Sequence, residues 1–446
     1  MADKCEYGWL PLSKAGLRSK IPLSGIPGEP GRHCPMHTAL ALAKQLGGIS
    51  TLVVGTAECG YYSRYVMTEP VGRNQELHYV YELDANEVVF GCRTGLIEAI
   101  REMDREGAKV ILLILTCVPA LIGEDMEAVK DELSGEVAAK LFFIDGAHFK
   151  YNGYLTGFLD TYDKLGEIYK DSFRDKALYG NTAETISNDS GRKDQSGRQI
   201  NFYGSLRGKE AQALKNVLLK AGYDLLEVKV ENILGKMERL PEGMLSLLQD
   251  PNQDQLAKKE KNTRISLCRS FHSEDIRNNY RTLRDLLHLE DETAEEFHID
   301  EYKRLKDKEE KAYRVLKGVS FIITVQELLS IPLAAYLVEL GMEPKLLGVE
   351  SFAEEDCFYQ ERILKKSYDP YLVTITEEEN IKEWGEGYPL VSIGHSEAVP
   401  EKKRIKNPQV QRIFALLGYE RSMALLDCLM ELVARKEEGG EGHGLI

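Results

Sequence analysis

The feature that most constrains the fold is the apolar run VILLIL at residues 110–115. Six consecutive branched aliphatic residues fit a strand that is buried on both faces, which is typical of a parallel sheet covered by helices. The run ends at Thr116 and Cys117 and continues towards Glu124 and Asp125, acidic residues suited to the first turn of a helix. Strand, turn and helix in this order form the repeating unit of an α/β fold.

The same order recurs along the chain. Short apolar strands are predicted at 49–55, 86–91, 110–115, 139–144, 200–203, 225–230, 264–267, 319–325, 344–349, 371–375 and 390–393. Helices are predicted between them, at about 35–46, 96–103, 121–134, 209–221, 326–340 and 408–435. We therefore expect Rossmann-like, doubly wound units with parallel sheets, arranged as three sheets in series.

A polar stretch at 181–200 with few apolar residues marks the first domain boundary. The predicted domains are residues 1–180, 201–315 and 316–446. The second carries a strongly charged segment, 273–315, which we interpret as a solvated helical excursion. The third ends in a long helix.

Composition and charge exclude several classes of protein. The 446 residues are 43% hydrophobic and 29% charged, and the net charge is −15, which argues against a nucleic-acid binder. No stretch has the roughly 18 to 20 consecutive apolar residues that span a bilayer, and the N-terminus has no apolar signal segment. A cytoplasmic protein with no membrane partner is expected.

The chain has eight cysteines but no C-x-x-C pair, so zinc-ribbon and ferredoxin patterns are absent. In a reducing compartment each cysteine is either a buried apolar residue or a ligand or nucleophile. Cys59 and Cys117 each follow an apolar strand and should emerge at the same edge of one sheet, and Cys34 precedes a helix in the same domain. Three such cysteines favour iron–sulfur ligation over three unrelated core residues.

Four segments give the sequence a strong resemblance to the component 1 superfamily of nitrogenases, and within it to the alpha (D-type) subunit of the molybdenum–iron protein. They are GRHCPMHTAL at Cys34, GTAECGYYSR at Cys59, NEVVFGCRTGLIEAI, and TCVPALIGEDMEAV at Cys117. The match is densest over roughly residues 30–160, where order, spacing and flanking residues agree together.

The resemblance implies that Cys34, Cys59 and Cys117 hold an iron–sulfur cluster at a subunit interface, either [4Fe–4S] or the P-cluster type, [8Fe–7S]. A homologous component 1 subunit, either a second copy or a beta-type chain, would complete the coordination. The resemblance also implies a separate ATP-dependent iron–sulfur reductase, a homodimer, that would supply electrons. This chain has no G-x-x-x-x-G-K-[ST] loop, so it is not expected to hydrolyse ATP itself.

The resemblance also implies three domains around a central cavity. Cys268 and His395 fall where the alpha subunit ligates its metal cofactor, so a second nitrogenase-type metal–sulfur cofactor is a further expectation. For both residues the alternative is an ordinary one, a core cysteine and a loop histidine. Candidates for the lining of the substrate cavity are Arg64, His148, Asn152 and Thr156.

Asn152 and Thr156 stand where the family has a glutamine and a histidine above the cofactor, which argues against dinitrogen as the substrate. The expected function is therefore a nitrogenase-like oxidoreductase subunit. The alternatives are a scaffold on which a nitrogenase-type cofactor is assembled and a tetrapyrrole reductase subunit. The latter would need an apolar, aromatic cavity without the Cys268–His395 pair.

Overall fold

The structure is a computed structural model that describes residues 9–17, 19, 21, 34–46, 48–72, 75–147, 160–161, 163–164, 167, 198–228, 245–258, 263–289, 298–325, 328–349, 352–374, 390–394 and 399–434. Its strands are β1 (Leu10–Pro11), β2 (Ser50–Gly55), β3 (His78–Glu82), β4 (Val110–Leu115), β5 (Lys140–Asp145), β6 (Gln199–Tyr203), β7 (Asp224–Val228), β8 (Ser246–Leu248), β9 (Arg264–Ser266), β10 (Ser320–Ile323), β11 (Glu343–Gly348), β12 (Tyr371–Val373), β13 (Leu390–Ile393) and β14 (Arg404–Ile405). Its helices are α1 (Pro35–Leu46), α2 (Ala57–Ser63), α3 (Glu87–Phe90), α4 (Arg93–Arg105), α5 (Cys117–Leu121), α6 (Met126–Glu132), α7 (Lys209–Lys220), α8 (Asp254–Lys258), α9 (Ser273–Leu287), α10 (Ile299–Leu316), α11 (Ser330–Glu339), α12 (Asp356–Lys365), α13 (Asn407–Phe414) and α14 (Gly418–Ala434).

The strands form three sheets, as the sequence predicted. The first has the order β3-β2-β4-β5, the second β7-β6-β8-β9 and the third β1-β12-β11-β10-β13-β14. Every pairing is parallel except that of β1 with β12. The α/β fold class is confirmed, while the three domain ranges remain a prediction. In the described ranges no helix is long and apolar enough to cross a membrane.

The central strands of the first sheet, β2 and β4, are buried along their whole length. Their side chains alternate between two cores. Leu112 and Ile114 of β4 pack in the core that includes α1, whereas Ile111 and Leu113 pack in the core that includes α4 and α6. This helix–sheet–helix sandwich explains why the run at 110–115 is apolar without interruption.

The strand predicted at residues 86–91 is wrong, because Glu87–Phe90 forms the short helix α3. The carboxylate of Asp84 accepts the backbone N–H groups of Asn86 and Glu87, at 2.7 and 2.9 Å, and thereby caps this helical turn. The strand that pairs with β2 is instead β3, HYVYE, whose three central residues are aromatic or β-branched, the types that favour strands.

Two predicted helices are each divided in the structure. The helix expected at 121–134 is replaced by α5 and α6, which are separated at Gly123, where φ is +80°. The carboxylate of Asp125 then caps α6 by accepting the N–H of Ala128. The predicted terminal helix is divided into α13 and α14, and α14 begins at Gly418, where φ is +37°.

The described parts of the charged segment 273–315 are helical, as predicted, but they are not simply solvated. Both α9 and α10 have a buried apolar face, and Leu305, Ala312 and Leu316 of α10 are fully buried. These faces pack in the core that also contains α14. High charge content concealed an amphipathic pattern in this segment.

Candidate functional site

Cys59 and Cys117 lie at the carboxyl ends of two neighbouring strands, as predicted. β2 and β4 are parallel, with Val54 opposite Leu115 at their ends. Cys117 is the first residue of α5 and Cys59 the third residue of α2, so each cysteine belongs to the helix that follows its strand. In open α/β sheets this edge is where ligands bind.

Thr116 connects the two strand ends. Its Oγ1 donates to the carbonyl of Val54 at 2.8 Å and lies 3.4 Å from Sγ of Cys59, which can donate its proton to it. Gly55 makes this arrangement possible, because a Cβ at that position would lie 2.2 Å from Oγ1 of Thr116 and 3.1 Å from Sγ of Cys59. The tight contact therefore requires glycine at position 55.

Replacing Thr116 by valine is expected to lower the free energy of unfolding by about 1 kcal/mol, because a buried hydroxyl that bonds to the carbonyl of Val54 is lost. Thr116→Ser keeps the hydroxyl and is the matched control. Urea denaturation of the three proteins measures the difference. Equal midpoints for Thr116→Val and the wild type would show that the hydroxyl of Thr116 does not stabilise the connection between the two strand ends.

Cys34 also reaches this edge. It directly precedes α1. Gly146, which follows β5, lies between the end of β4 and the beginning of α1, because a Cβ on it would be 3.3 Å from the carbonyl of Leu115 and 3.7 Å from the backbone N of Met36. The beginning of α1 is therefore packed against the ends of β4 and β5. Burial raises the pKa of the Cys34 thiol to about 11. The backbone N–H groups of Met36 and His37 oppose that rise, and the sulfurs of Cys117 and Cys59 add to it. The sulfurs of Cys117 and Cys59 are thus both neighbours of the Cys34 sulfur.

Among the described residues, no three His, Cys, Asp or Glu side chains are grouped closely enough to hold one metal ion, and ligation by these three cysteines stays a prediction. Cys34, Cys59 and Cys117 are all half-buried, so their sulfurs are near the surface but not fully solvated. Cysteines presented from three different segments of the chain would suit a multinuclear iron–sulfur group.

Exposed apolar side chains surround these cysteines. Eight of the fifteen large apolar or aromatic side chains that are exposed in the described part of the chain lie on or beside α2, α3 and α5, the helices after β2, β3 and β4. We call this set the cluster-edge surface: Tyr61, Tyr62, Tyr65, Val88, Val89, Phe90, Leu121 and Ile122. Phe90 is 85% exposed. Large apolar side chains exposed on neighbouring helices in this number are typical of a protein–protein contact.

Arg64 follows α2 and lines a cavity, while its place in a substrate cavity stays a prediction. The cavity has a volume of about 380 Å³ and lies beside β2 and β3, with His78 and Glu82 also in its wall. Burial lowers the pKa of His78, and its Nδ1 is 3.0 Å from the hydroxyl of Thr51. Three further predicted residues of the substrate cavity, His148, Asn152 and Thr156, lie outside the described residues, as does His395.

Cys268 follows β9 and is fully buried, with 0% of its surface exposed. Its N–H donates to the carbonyl of Leu248, and its sulfur lies 3.4 Å from the hydroxyl of Ser266. Burial raises the pKa of the Cys268 thiol, and Ser266, Arg269 and Arg421 oppose that rise. The described residues leave both interpretations of Cys268 in place, a cofactor ligand and a core cysteine.

Arg421 and Ser422, at the start of α14, are residues that the sequence analysis missed. Arg421 is buried next to the Cys268 loop, and both side chains bond to that loop. A signal was present in the sequence, because Arg421 interrupts an apolar stripe at i, i+4 spacing in which Leu417 and Leu425 are buried.

The glycine-containing loop between β6 and α7, GSLRGK at 204–209, is already filled by the chain's own side chains. The backbone N–H groups of Ser205, Leu206 and Glu210 donate to the side chains of Gln249, Glu227 and Glu420, respectively. Because these donors are occupied, the loop is not a phosphate cradle. ATP binding on this chain has no support at this loop.

Comparison with known proteins agrees with this geometry. The family model for nitrogenase component 1 type oxidoreductase matches residues 34–434. The nitrogenase iron-molybdenum cofactor biosynthesis protein NifE of Clostridium pasteurianum is 24% identical over 319 residues, which are 68% of this chain and 65% of that protein, slightly less than two thirds of its length. Solved structures of nitrogenase Cp1 at pH 6.5 and at pH 5 are each 15% identical. The first has a TM-score of 0.61 and covers 96% of this chain and 98% of that chain, and the second has a TM-score of 0.52 and covers 95% and 92%. At this identity the likeness to Cp1 shows a shared fold.

Proposed function

Because the chain belongs to the nitrogenase component 1 family, we propose that it is a catalytic-component subunit of a nitrogenase-like reductase. In this role it relays low-potential electrons from a separate ATP-dependent iron–sulfur reductase to a substrate or metal-cofactor site. A homologous subunit faces its cysteine edge. The observation that supports this most is the meeting of Cys34, Cys59 and Cys117 at one sheet edge, next to the cluster-edge surface.

When bound at this edge, an iron–sulfur cluster supplies one-electron transfer at low potential. The chain's own residues supply position and environment. Cys59 and Cys117 lie in α2 and α5, Cys34 directly precedes α1, and these helices fix the positions of the three sulfurs. Gly55 and Thr116 hold the ends of β2 and β4 together. Half-burial of the three cysteines limits the access of water and oxygen while leaving their sulfurs close to a docked partner.

The cluster-edge surface supports the expected partners. Val89, Phe90 and Leu121 are each at least 70% exposed on helices that begin where the strands end, so apolar area meets solvent next to the cysteines. A subunit or reductase that covers this area would bury it and shorten the path for electrons. ATP hydrolysis is assigned to the reductase, since this sequence has no G-x-x-x-x-G-K-[ST] loop.

A scaffold for assembly of a metal–sulfur cofactor is the second proposal, and the likeness to NifE favours it. A scaffold would use the same three cysteines and the same surface but would release its metal group to another protein. The two proposals differ in one measurable respect. A reductase subunit keeps its metal through repeated reduction and reoxidation, whereas a scaffold loses metal to an acceptor.

The test begins with anaerobic purification from cells that have the iron–sulfur assembly machinery, followed by iron and sulfide analysis. We expect a dithionite-reducible EPR signal that also forms with a nitrogenase iron protein and MgATP. Phe90→Asp should retain iron but slow this ATP-dependent reduction about tenfold or more, because a charge in the middle of an apolar contact must be desolvated. Leu219→Asp on α7, an exposed site far from this surface, is the control. An iron-free, colourless protein would overturn both proposals.

A further inference from the structure

Arg421 is a cation without any solvent exposure, in the first turn of α14. Its Nη2 donates to the carbonyls of Leu267 at 3.3 Å and Ser270 at 2.7 Å, and its guanidinium stacks on the ring of Phe271 at 4.3 Å. The two carbonyls lie on either side of Cys268 in the sequence. Arg421 therefore holds the loop on both sides of that cysteine.

The next residue of α14 adds a third bond to the same loop. The hydroxyl of Ser422 donates to the carbonyl of Phe271 at 2.7 Å. Two consecutive side chains thus hold three carbonyls of the segment 267–271, which we call the Cys268 loop. This segment has no strand or helix of its own after β9, so the side chains of α14 take the place of regular backbone pairing.

Part of the guanidinium remains unpaired. Nε and Nη1 of Arg421 are buried and have no hydrogen-bond partner. A buried charge with unpaired donors is costly and needs a compensating negative or polarisable group. The carboxylate of Glu210 is already bonded to Tyr280 and Glu420. Burial lowers the pKa of Arg421, and among its neighbours Cys268 opposes that shift most.

We propose that Arg421 is the positioning residue of Cys268. It fixes the backbone that presents the sulfur, and it places a buried guanidinium, with Nε and Nη1 unpaired, beside the loop that carries that sulfur and any anionic metal–sulfur group bonded to it. The effect on a bound metal–sulfur group rests on the proposed function, whereas the positioning of the loop backbone does not. The start of α14 is, on this view, part of the Cys268 site although it is about 150 residues away in sequence.

The test is native-state alkylation with N-ethylmaleimide, read for each cysteine by peptide mass spectrometry. Cys357 is exposed and reports that the reagent is active, while Cys92 is buried in the first sheet and reports global unfolding. In the wild type Cys268 should stay unlabelled. Arg421→Met should raise the labelling rate of Cys268 about tenfold or more, since both carbonyl bonds are lost, and leave Cys92 unchanged.

Arg421→Lys keeps the charge and one donor group and should restore most of the protection. Ser422→Ala, which removes only the bond to Phe271, should have a smaller effect than Arg421→Met. If Arg421→Met fails to fold, Arg421→Lys and Ser422→Ala still rank the two contacts. Unchanged labelling of Cys268, or equal gains at Cys268 and Cys92, would overturn the proposal. The labelling of Cys268 does not depend on iron, so this outcome is distinct from failure of the proposed function.

Discussion

Protein in which Cys117 is replaced by alanine is expected to contain no more than background iron and sulfide after anaerobic purification. The same result is expected for Cys34→Ala and Cys59→Ala. Under the proposed function, each change removes one of three cluster ligands at the edge of the first sheet, and the remaining two cysteines of this chain are too few to hold the group. Iron and sulfide analysis with EPR measures the loss.

Two cysteines of the same chain serve as controls. Cys92 lies near the same end of the sheet, but it packs in the core beside α4 and α6, whereas Cys34 and Cys59 pack against the core on the α1 side. Cys357 is exposed on α12 in the third sheet's region. Cys92→Ala and Cys357→Ala should retain wild-type iron. Full iron in Cys117→Ala, or equal loss in Cys357→Ala, would contradict the assignment.

The cysteine edge was predictable because its signals are local. The run at 110–115 specifies a buried strand, parallel strands end at one edge, and a cysteine immediately after such a strand must lie there. Nothing beyond a window of about ten residues was needed to place Cys59 and Cys117. Cys34, which precedes a helix in the same domain, was expected to join them, and the structure brings it to the same edge.

Two features were not predictable from the apolar pattern of the sequence. The segment NEVVFG has strong strand-forming residues, yet capping by Asp84 and exposure of Val89 and Phe90 make it a helical turn. The short strand β8 lies in a stretch, 238–262, that reads as polar and irregular, because three residues give too short a pattern. In the first case a local cap outweighed the strand propensity of the segment, and in the second the pairing of β8 with β6 and β9 decided the structure.

Arg421 illustrates a different limit. Its partners, Leu267 and Ser270, are 154 and 151 residues away, so no window of sequence contains both sides of the contact. A lone arginine in an apolar stripe indicates a buried polar contact but not its partner. The same first turn of α14 contains Glu420, which makes a reciprocal contact with Glu210 of α7.

Glu210 has the properties of a buried acid that is protonated near neutrality. Its carboxylate accepts the hydroxyl of Tyr280 at 2.6 Å and the N–H of Glu420 at 2.7 Å. Burial raises its pKa to about 7, although these hydrogen bonds, another from the Tyr419 backbone and the charge of Arg421 oppose the rise. The native chain therefore binds this proton more tightly than the unfolded chain does.

The sign of the pH dependence follows from that difference. The unfolded side chain has a pKa of 4.5 and the native one about 7, so the stabilisation is complete below about pH 4.5, is lost as the pH rises to about 7, and is flat above that value. The shift corresponds to about 3 kcal/mol in total, of which about 2 kcal/mol falls between pH 5.5 and 8.5.

Glu210→Gln cannot ionise and should lack this loss. Urea denaturation at pH 5.5, 6.5, 7.5 and 8.5 measures the difference between the two proteins, with the exposed Glu310→Gln as control. Parallel curves for the wild type and Glu210→Gln would show that the contact between α7 and α14 does not depend on this proton.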